Sequence, residues 1–193
     1  MAGRRQFDEK QALEHVLDVF WRQGYGATSM ADLAAAAGVQ RGSLYNAYRD
    51  KESLFLRVFE GYRDAFLADA AARLAHPDLR QALLDFFDFT VESMTAGVPA
   101  RGCLTTKTAT DTRAETEPIR AALRGMLDGL ERVLTERLSQ DDAAGRLAAP
   151  PAEAARVLVT MTRGNVVMQS VHQDPSRLKA VATTLVDMIV RSG

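Results

Sequence analysis

The spacing of apolar residues is the feature that most constrains the fold of this chain. Apolar residues recur every three or four positions over almost the whole sequence, as they do in helices that bury one face. The first such run carries Leu13, Val16, Leu17 and Phe20 and ends at Gly24. No stretch alternates apolar and polar residues for long enough to predict a strand. The sequence therefore predicts an all-α protein.

Length and charge limit the classes of function. The 193 residues suffice for one sizeable domain, or for a small domain joined to a larger one. The 24 Lys and Arg residues nearly balance the 25 Asp and Glu residues, so the net charge indicates neither nucleic acid nor an anionic membrane surface. The first residues lack the apolar core of a signal peptide, and no apolar run approaches the ~18 to 20 residues of a membrane helix. We expect a cytoplasmic protein without a membrane partner.

The segment MADLAAAAGVQRGSLYNAYRDKESLF contains two short helical patterns separated by a turn signal. Ser29 and Asp32 have the spacing of a capping box, which predicts the start of the first helix, and Gly38 ends that helix. The second helix spans residues 40–48. A short helix, a tight turn and a second short helix are the arrangement of a helix-turn-helix, at about residues 29–48.

The second short helix carries side chains that suit the DNA major groove. Asn and Gln amides pair with adenine edges, Arg pairs with guanine, and a glycine lets the backbone approach a base or phosphate closely. The residues of this kind are Gln40, Arg41, Gly42, Ser43, Tyr45 and Asn46. Helix pairs of the same spacing also occur as plain packing units, so spacing alone leaves a DNA-binding role and a scaffolding role open.

A wider stretch, GYGATSMADLAAAAGVQRGSLYNAYRDKESLF at residues 24–55, resembles the N-terminal signature of the TetR family of bacterial transcription repressors. The shared features are Thr-Ser before the first short helix, Ala-Gly-Val at the turn, Gly-x-Leu-Tyr in the recognition helix and Lys-Glu-x-Leu opening the next helix. The resemblance implies a three-helix DNA-binding domain with the helix-turn-helix at residues 6–66, and a helical ligand-binding and dimerisation domain at residues 67–193. It also implies a homodimer that binds a near-palindromic operator in double-stranded DNA and is released by a small-molecule effector.

The resemblance implies a role for each matching residue. Thr28 or Ser29 would hold a phosphate at the start of a helix, where the helix dipole favours an anion. Residues 40–43 would face the groove, and Lys51, which we expect to be exposed, would meet another phosphate. The implied DNA-contacting residues are Thr28, Ser29, Gln40, Arg41, Gly42, Ser43, Tyr45, Asn46, Tyr48 and Lys51.

The last two predicted helices carry apolar stripes that suit a dimer interface. Two such helices from each subunit would form a four-helix interface, as the resemblance implies, and a glycine on the first of them allows close backbone approach. The expected interface residues are Val157, Met161, Gly164, Met168, Leu178, Val181, Leu185 and Met188. The alternative is that these stripes are buried inside one subunit.

A ligand cavity is expected among the central helices, because the resemblance implies one there and flexible methionine side chains suit adaptable apolar pockets. The candidate ligand-binding residues are Phe66, Phe86, Phe89, Met94, Cys103, Leu104, Thr108, Met126 and Met161. These residue types are also typical of a simple core, and the sequence does not distinguish the two roles.

Cys103 is the only cysteine, so it cannot form an intramolecular disulfide. It begins a helix predicted at residues 103–113, where the helix dipole and Arg101 would lower the pKa of the thiol and let oxidants or electrophiles modify it. The alternative is a small buried apolar residue. Gly102-Cys103-Leu104 also resembles one branch of the family, but polar residues follow here where apolar ones are common there. The effector of that branch is therefore not transferred to this chain.

Two other classes of function compete with DNA binding. An enzyme would use Cys103 as a nucleophile, or His15, His76 and His172 as acid–base groups, but the histidines share no ligand spacing and no nucleophile–base pair is recognisable. We therefore expect no catalytic residue, no metal site and no cofactor. A helical adaptor would use the helix-turn-helix only as scaffold. Salt-dependent binding to a palindromic duplex separates a DNA-binding protein from both alternatives.

Overall fold

The computed structural model describes residues 9–97 and 100–191, and these residues confirm the all-α prediction. The α-helices in chain order are α1 (Glu9–Gln23), α2 (Met30–Ala37), α3 (Arg41–Tyr48), α4 (Lys51–Leu74), α5 (Leu79–Thr95), α6 (Leu104–Ala109), α7 (Glu117–Leu138), α8 (Pro151–His172) and α9 (Pro175–Ile189). Short 3₁₀ turns at Thr112–Ala114 and Asp141–Ala143 follow α6 and α7. Within the part of the chain that the structure describes, no helix is both long and apolar enough to cross a bilayer.

Local capping signals define the N-terminal domain, which consists of α1, α2 and α3. Ser29 Oγ accepts the N–H of Asp32 at 3.2 Å, and the Asp32 carboxylate accepts the N–H of Ser29 at 2.9 Å, as the capping-box spacing predicts. Gly38 ends α2 with a φ of 68°, a left-handed conformation that glycine adopts without strain. A short turn then leads into α3, so the predicted helix-turn-helix is present.

The long helix α4 joins this domain to the C-terminal region, α5 to α9. It packs against α1, α5 and α7. A row of aromatic rings follows it, with consecutive ring centres 4.9 to 5.9 Å apart, and each such contact stabilises the fold by about 0.5–1.5 kcal/mol beyond the area it buries. The rings in order are Phe20, Phe55, Phe59, Tyr62, Phe66 and Phe89.

The predicted division of the chain after residue 66 falls inside α4, and it stays a prediction. Residues 6–8 of the first predicted domain lie outside the described residues. One core cluster of buried side chains includes residues from both sides of the predicted boundary. A displacement of α4 would therefore move side chains in both parts of the molecule.

The helix predicted at residues 103–113 is wrong in length. The α-helix covers only Leu104–Ala109, and a 3₁₀ turn follows after Asp111. The Asp111 carboxylate accepts the N–H of Arg113 at 3.0 Å, a local bond that competes with continuation of the helix. The threonine-rich segment before it also lowers helix propensity, because β-branched side chains lose rotamer freedom in a helix.

Candidate nucleic-acid interface and regulatory sites

The outer face of α3 is polar and exposed. Leu44 is buried and anchors the helix to the core, whereas Tyr45 is 38% exposed. The Arg41 guanidinium donates to the Tyr45 hydroxyl at 3.3 Å and lies 5.4 Å from the centre of its ring. The other exposed predicted contacts on this face are Gln40, Gly42, Ser43 and Asn46. The structure therefore brings these six predicted residues together on one surface.

The two residues predicted to hold a phosphate before α2 differ in exposure. Ser29 is exposed at the helix start. Thr28 is buried, and its hydroxyl donates to the carbonyl of Gly24 at 2.7 Å, so it stabilises the turn between α1 and α2. Of the pair, only Ser29 has a side chain on the surface.

The expectation that Lys51 is exposed is wrong. Lys51 is half-buried, and its Nζ donates to the carbonyls of Tyr25 at 2.9 Å and Thr28 at 3.0 Å. The ammonium also lies 4.3 Å from the centre of the Tyr25 ring. Burial lowers the pKa of Lys51 below its usual value. Lys51 thus ties the start of α4 to the turn before α2.

Tyr48 is half-buried and already has a partner within the domain. Its hydroxyl donates to Glu9 Oε1 at 2.8 Å, which connects the end of α3 to the start of α1. Burial, together with that hydrogen bond to the carboxylate, raises the pKa of Tyr48 to about 12. The hydroxyl therefore stays protonated and keeps this bond at neutral pH.

Arg49 was missed by sequence reasoning, and it occupies a strained turn between α3 and α4. Arg49 has a φ of 62° and a ψ of −56°, and the N–H of Asp50 donates to the carbonyl of Tyr48 at 2.6 Å. This is a γ-turn with positive φ at its central residue, which is the rare form of that turn. Such a conformation is costly for a residue with a side chain. The exposed Arg49 is consequently held beside the polar face of α3.

Several large apolar side chains are exposed on the outer faces of α8 and α9, among polar and charged ones. Of the predicted interface residues, Val157, Gly164, Met168, Val181 and Met188 are exposed, and Met161 and Leu185 are half-buried against the core. Leu178 differs, because it is only 2% exposed and packs with Val91 and Met94 inside the chain. It offers no surface to a second subunit. The same face also carries Val167 and Val171, which the sequence pattern did not single out.

A groove of about 870 Å³ lies between α1, α4 and α5. Its lining includes the aromatic side chains of Trp21, Tyr62, Phe66 and Phe89, and charged side chains of both signs. Phe66 and Phe89 of the predicted ligand set line this groove, and Phe66, Met94 and Cys103 line an adjoining cavity of about 10 Å³, room for about one water molecule. The remaining candidates line neither cavity and are Phe86, Leu104, Thr108, Met126 and Met161. Four of the nine predicted ligand residues thus lie at the groove or at the cavity beside it, and the ligand site stays a prediction.

The Cys103 thiol is only 8% exposed, and it has a charged neighbour. The Arg163 guanidinium donates to its Sγ at 3.2 Å. Burial raises the pKa of the Cys103 thiol, whereas the Arg163 charge and hydrogen bonds from Thr106 and Thr105 lower it. The lowering effects together exceed the effect of burial, so the pKa lies below the usual value. This contact distinguishes Cys103 from a purely apolar core residue, because a guanidinium lies against its sulfur. Arg163 lies 60 residues along the chain, and no local pattern marks it.

The described residues also bear on a metal site and on catalysis by Cys103. In residues 9–97 and 100–191, no three His, Cys, Asp or Glu side chains come close enough together to hold a metal ion. Cys103 is the one cysteine of the sequence, and its neighbour is a cation and not a general base.

Two family models match the chain. The model for bacterial regulatory proteins of the tetR family matches residues 12–58, and the model for the tetracyclin repressor-like C-terminal domain matches residues 80–185. Among curated proteins, the chain is 33% identical over 147 residues to the HTH-type transcriptional repressor ComR of Escherichia coli K12, a match that covers 75% of this chain and 69% of ComR.

Solved structures share the fold over nearly the whole length. A cysteine-substituted form of the TetR family transcriptional regulator CifR, complexed with 26-base-pair double-strand operator DNA, has a TM-score of 0.85 and 29% identity, and the match covers 97% of this chain and 100% of that chain. The reduced form of NemR from E. coli has a TM-score of 0.85 at 20% identity, with 95% of this chain and 97% of that chain covered. The second similarity concerns the fold alone.

Proposed function

Because this chain belongs to the TetR family of bacterial regulatory proteins, and is therefore a DNA-binding helix-turn-helix transcriptional regulator and not an enzyme, we propose that it represses transcription as a homodimer on a near-palindromic operator. A small-molecule effector releases the dimer from that operator. The observation that carries the proposal is the continuous polar face of α3, a helix that the buried Leu44 anchors to the core. CifR, a relative at 29% identity, has been solved with double-strand operator DNA, which supports the same partner here.

The proposed DNA contacts fall into two groups. Residues 40–46 of α3 enter the major groove, where Arg41 reads guanine and Gln40 or Asn46 reads adenine. Ser29 and the start of α2 meet a phosphate, because unpaired N–H groups and the helix dipole favour an anion there. Lys51 contributes positive charge near the same DNA backbone, but its ammonium donates hydrogen bonds to the turn before α2.

The proposed dimer forms through the apolar faces of α8 and α9. Several large apolar side chains are exposed there, with Val171 at 70% and Met188 at 71%. An apolar surface of this kind on two adjacent helices is typical of a helix-packed subunit interface. A symmetric dimer then places two copies of α3 on half-sites whose centres lie about one helical turn apart, ~34 Å, or at a longer phased spacing.

Selection of duplexes from a random pool, followed by fluorescence anisotropy at several salt concentrations, tests DNA binding directly. Arg41→Ala should weaken binding to the selected duplex by about 1–3 kcal/mol and relax the preference at one base pair. Arg132→Ala is the matched control, because this exposed arginine lies on α7, away from the proposed interface. Failure to enrich any two-fold symmetric sequence, or equal loss in both variants, would contradict the proposal.

The proposed effector site is the groove between α1, α4 and α5. It touches helices of both parts of the molecule, so a ligand there can bias their relative orientation. Trp21 is the only tryptophan and lines this groove, so its fluorescence reports occupancy. Ala65 also lines the groove, and Ala65→Phe should prevent the apolar dye anilinonaphthalene sulfonate from quenching Trp21. Ala68→Phe, at an exposed position of α4 outside the groove lining, should leave quenching intact. Equal quenching in both variants would exclude the groove.

A second route of release is favoured by the contact between Arg163 and Cys103. The Arg163 contact favours the thiolate form of Cys103, and the thiolate is the form that oxidants and electrophiles modify. A bulky or charged group on Sγ would have to displace Arg163 or its neighbours, because the adjoining cavity holds only about 10 Å³. Cys103→Ser separates the two routes, since it abolishes release by a thiol reagent and preserves release by a ligand in the groove.

A further inference from the structure

Residues 101–113 belong to the C-terminal region, contact the end of α1 and are here called the tether. The Trp21 indole N–H donates to the carbonyl of Gly102 at 2.7 Å, and Lys107 Nζ donates to the carbonyl of Trp21 at 3.0 Å. The Arg101 guanidinium lies 4.1 Å from the centre of the Trp21 ring. Three side chains thus fix one point of the N-terminal domain to the beginning and middle of the tether.

The end of the tether makes a second attachment, at the turn between α1 and α2. The N–H of Gly26 donates to the Asp111 carboxylate at 2.6 Å. A Cβ on Gly26 would overlap the Arg113 side chain and would lie 2.6 Å from the Asp111 carboxylate oxygen. Gly26 does not have a positive φ. Close approach of the tether, and not backbone conformation, is therefore what requires a glycine here.

The two attachments differ in what they restrain. A single contact at Trp21 would leave the N-terminal domain free to rotate about that point. The second contact, at Gly26, lies close to the carbonyls of Tyr25 and Thr28 that Lys51 holds from α4. The turn between α1 and α2 is consequently hydrogen-bonded both to α4 and to the tether. Together these contacts restrict rotation of α2 and α3 relative to the C-terminal region.

We propose that Asp111 is a positioning residue that sets the orientation of the N-terminal domain and thereby selects the spacing between operator half-sites. The inference rests on the proposed function, because spacing has meaning only for a dimer that reads two half-sites. With Asp111 in place, two copies of α3 are presented at one separation. Without it, each N-terminal domain rotates more freely, so that the dimer accepts a wider range of spacings and binds the best one less tightly.

The test compares Asp111→Ala and Gly26→Ala with wild type on a series of duplexes whose half-sites are shifted by one or two base pairs, and on a duplex with a single half-site. We expect the ratio of affinities for the best and the shifted spacing to fall by about tenfold in both variants, while affinity for the single half-site changes less than about twofold. The two substitutions break the same contact, so the double variant should lose little more than either single variant.

Asp78→Ala is the matched control, because Asp78 also caps a helix, accepting the N–H of Gln81 at 2.8 Å, and lies outside the tether and the N-terminal domain. It should keep wild-type spacing selectivity. If Asp111→Ala does not fold, Asp111→Asn retains one acceptor oxygen and should show a smaller loss of selectivity.

Three results would overturn the inference. Unchanged spacing selectivity in Gly26→Ala and in the folded Asp111 variant would show that the contact does not set the separation. An equal loss of single half-site and full-operator affinity would show that Asp111 only supports the fold of the N-terminal domain. A wild-type protein that binds no two-half-site duplex would refute the proposed function itself, and the inference with it.

Discussion

The N-terminal domain and the C-terminal region differ in how many exceptions each makes to the rule that apolar side chains are buried and polar ones exposed. Among the described residues, six of the seven large apolar side chains that are exposed lie on α8 and α9, and six of the seven polar or charged residues that are buried lie on α5 to α8. In the N-terminal domain the exceptions are Tyr45 outside and Thr28 inside. Both parts have an apolar core, and the C-terminal region holds most of the exposed large apolar side chains and most of the buried polar ones.

This difference supports different proposed partners for the two parts of the molecule. The N-terminal domain presents polar groups, which suit the charged and hydrogen-bonding surface of DNA. The C-terminal region presents apolar surface, which suits another helical protein surface, and it buries polar groups in its interior. The hydroxyl of Thr108 and the amide nitrogen of Asn165 lie buried with no hydrogen-bond partner in the residues described. Burial of such groups costs free energy, so this interior is not optimised for stability alone.

The largest expected effect comes from placing charge on the apolar surface. In the variant Val171→Asp/Met188→Asp, four carboxylates would face one another across a two-fold interface, so we expect the dimer to dissociate. Affinity for the full operator should fall by about 10²- to 10⁴-fold, because the second half-site is no longer bound intramolecularly. Light scattering and anisotropy measure the two changes together. Ala121→Asp, at an exposed position of α7, should change neither, and a monomeric double variant that still binds tightly would break the comparison.

The next effect distinguishes Tyr45 of α3 from Lys51 at the start of α4. Tyr45→Ala should weaken operator binding about tenfold with an unchanged Tm, because Tyr45 is exposed on α3. Lys51→Ala should lower the Tm as well, because it removes two charge-assisted hydrogen bonds worth about 1.5–3 kcal/mol each at most. Thermal denaturation and a plot of log affinity against log salt provide both measurements. If Lys51→Ala flattened the salt plot by about one unit at constant Tm, Lys51 would be a phosphate contact only.

A smaller effect concerns the polar interior of the C-terminal region. Arg163 lowers the pKa of Cys103, so Arg163→Ala should raise it, and the pH midpoint of alkylation by iodoacetamide should move upward. The lowered pKa in the folded state also stabilises the protein above the unfolded thiol pKa, and this contribution is lost as the pH falls through the folded pKa. Arg163→Ala should therefore remove stability at alkaline pH. Arg156→Ala, at an exposed position of the same helix, is the control and should leave the midpoint unchanged. An unshifted midpoint in Arg163→Ala would show that the contact does not lower the pKa of Cys103.

The smallest expected effect is a gain in stability at Arg49. Glycine adopts positive φ without strain, so Arg49→Gly should be more stable than Arg49→Ala by about 1 kcal/mol, or a few degrees in Tm. Both variants lose the same charge next to α3, so they should lose operator affinity equally. Equal Tm values would mean that the turn relaxes, and that the position of Arg49 is not held by strain.

The sequence predicted the features that depend on neighbouring residues. The capping box of Ser29 and Asp32, the glycine end of α2 and the inward position of Leu44 all follow from spacings of a few residues, and all are confirmed. The exposure of Lys51 was predicted wrongly because its carbonyl partners lie 23 and 26 residues away. These signals are local, and the contacts that override them are not.

The candidate sites of the C-terminal region were harder to predict for the same reason. Helical periodicity marks Leu178 and Met188 alike as apolar positions of α9, but only packing decides that Leu178 faces α5 while Met188 faces outward. The contact of Cys103 with Arg163 joins residues 60 positions apart. The DNA contacts and interface residues themselves stay predictions until they are measured.

The row of aromatic rings along α4 has a consequence for internal motion. A phenyl ring in a close-packed interior turns over only when its neighbours move apart briefly, since no free volume is available around it. In this row Phe55 has ring neighbours at 5.2 and 5.4 Å, and Phe59 has ring neighbours at 5.4 and 5.6 Å. The row continues from α1 as far as α5. The rate at which these two rings turn over, seen as averaging of their NMR signals, therefore reports breathing that the two parts of the molecule share.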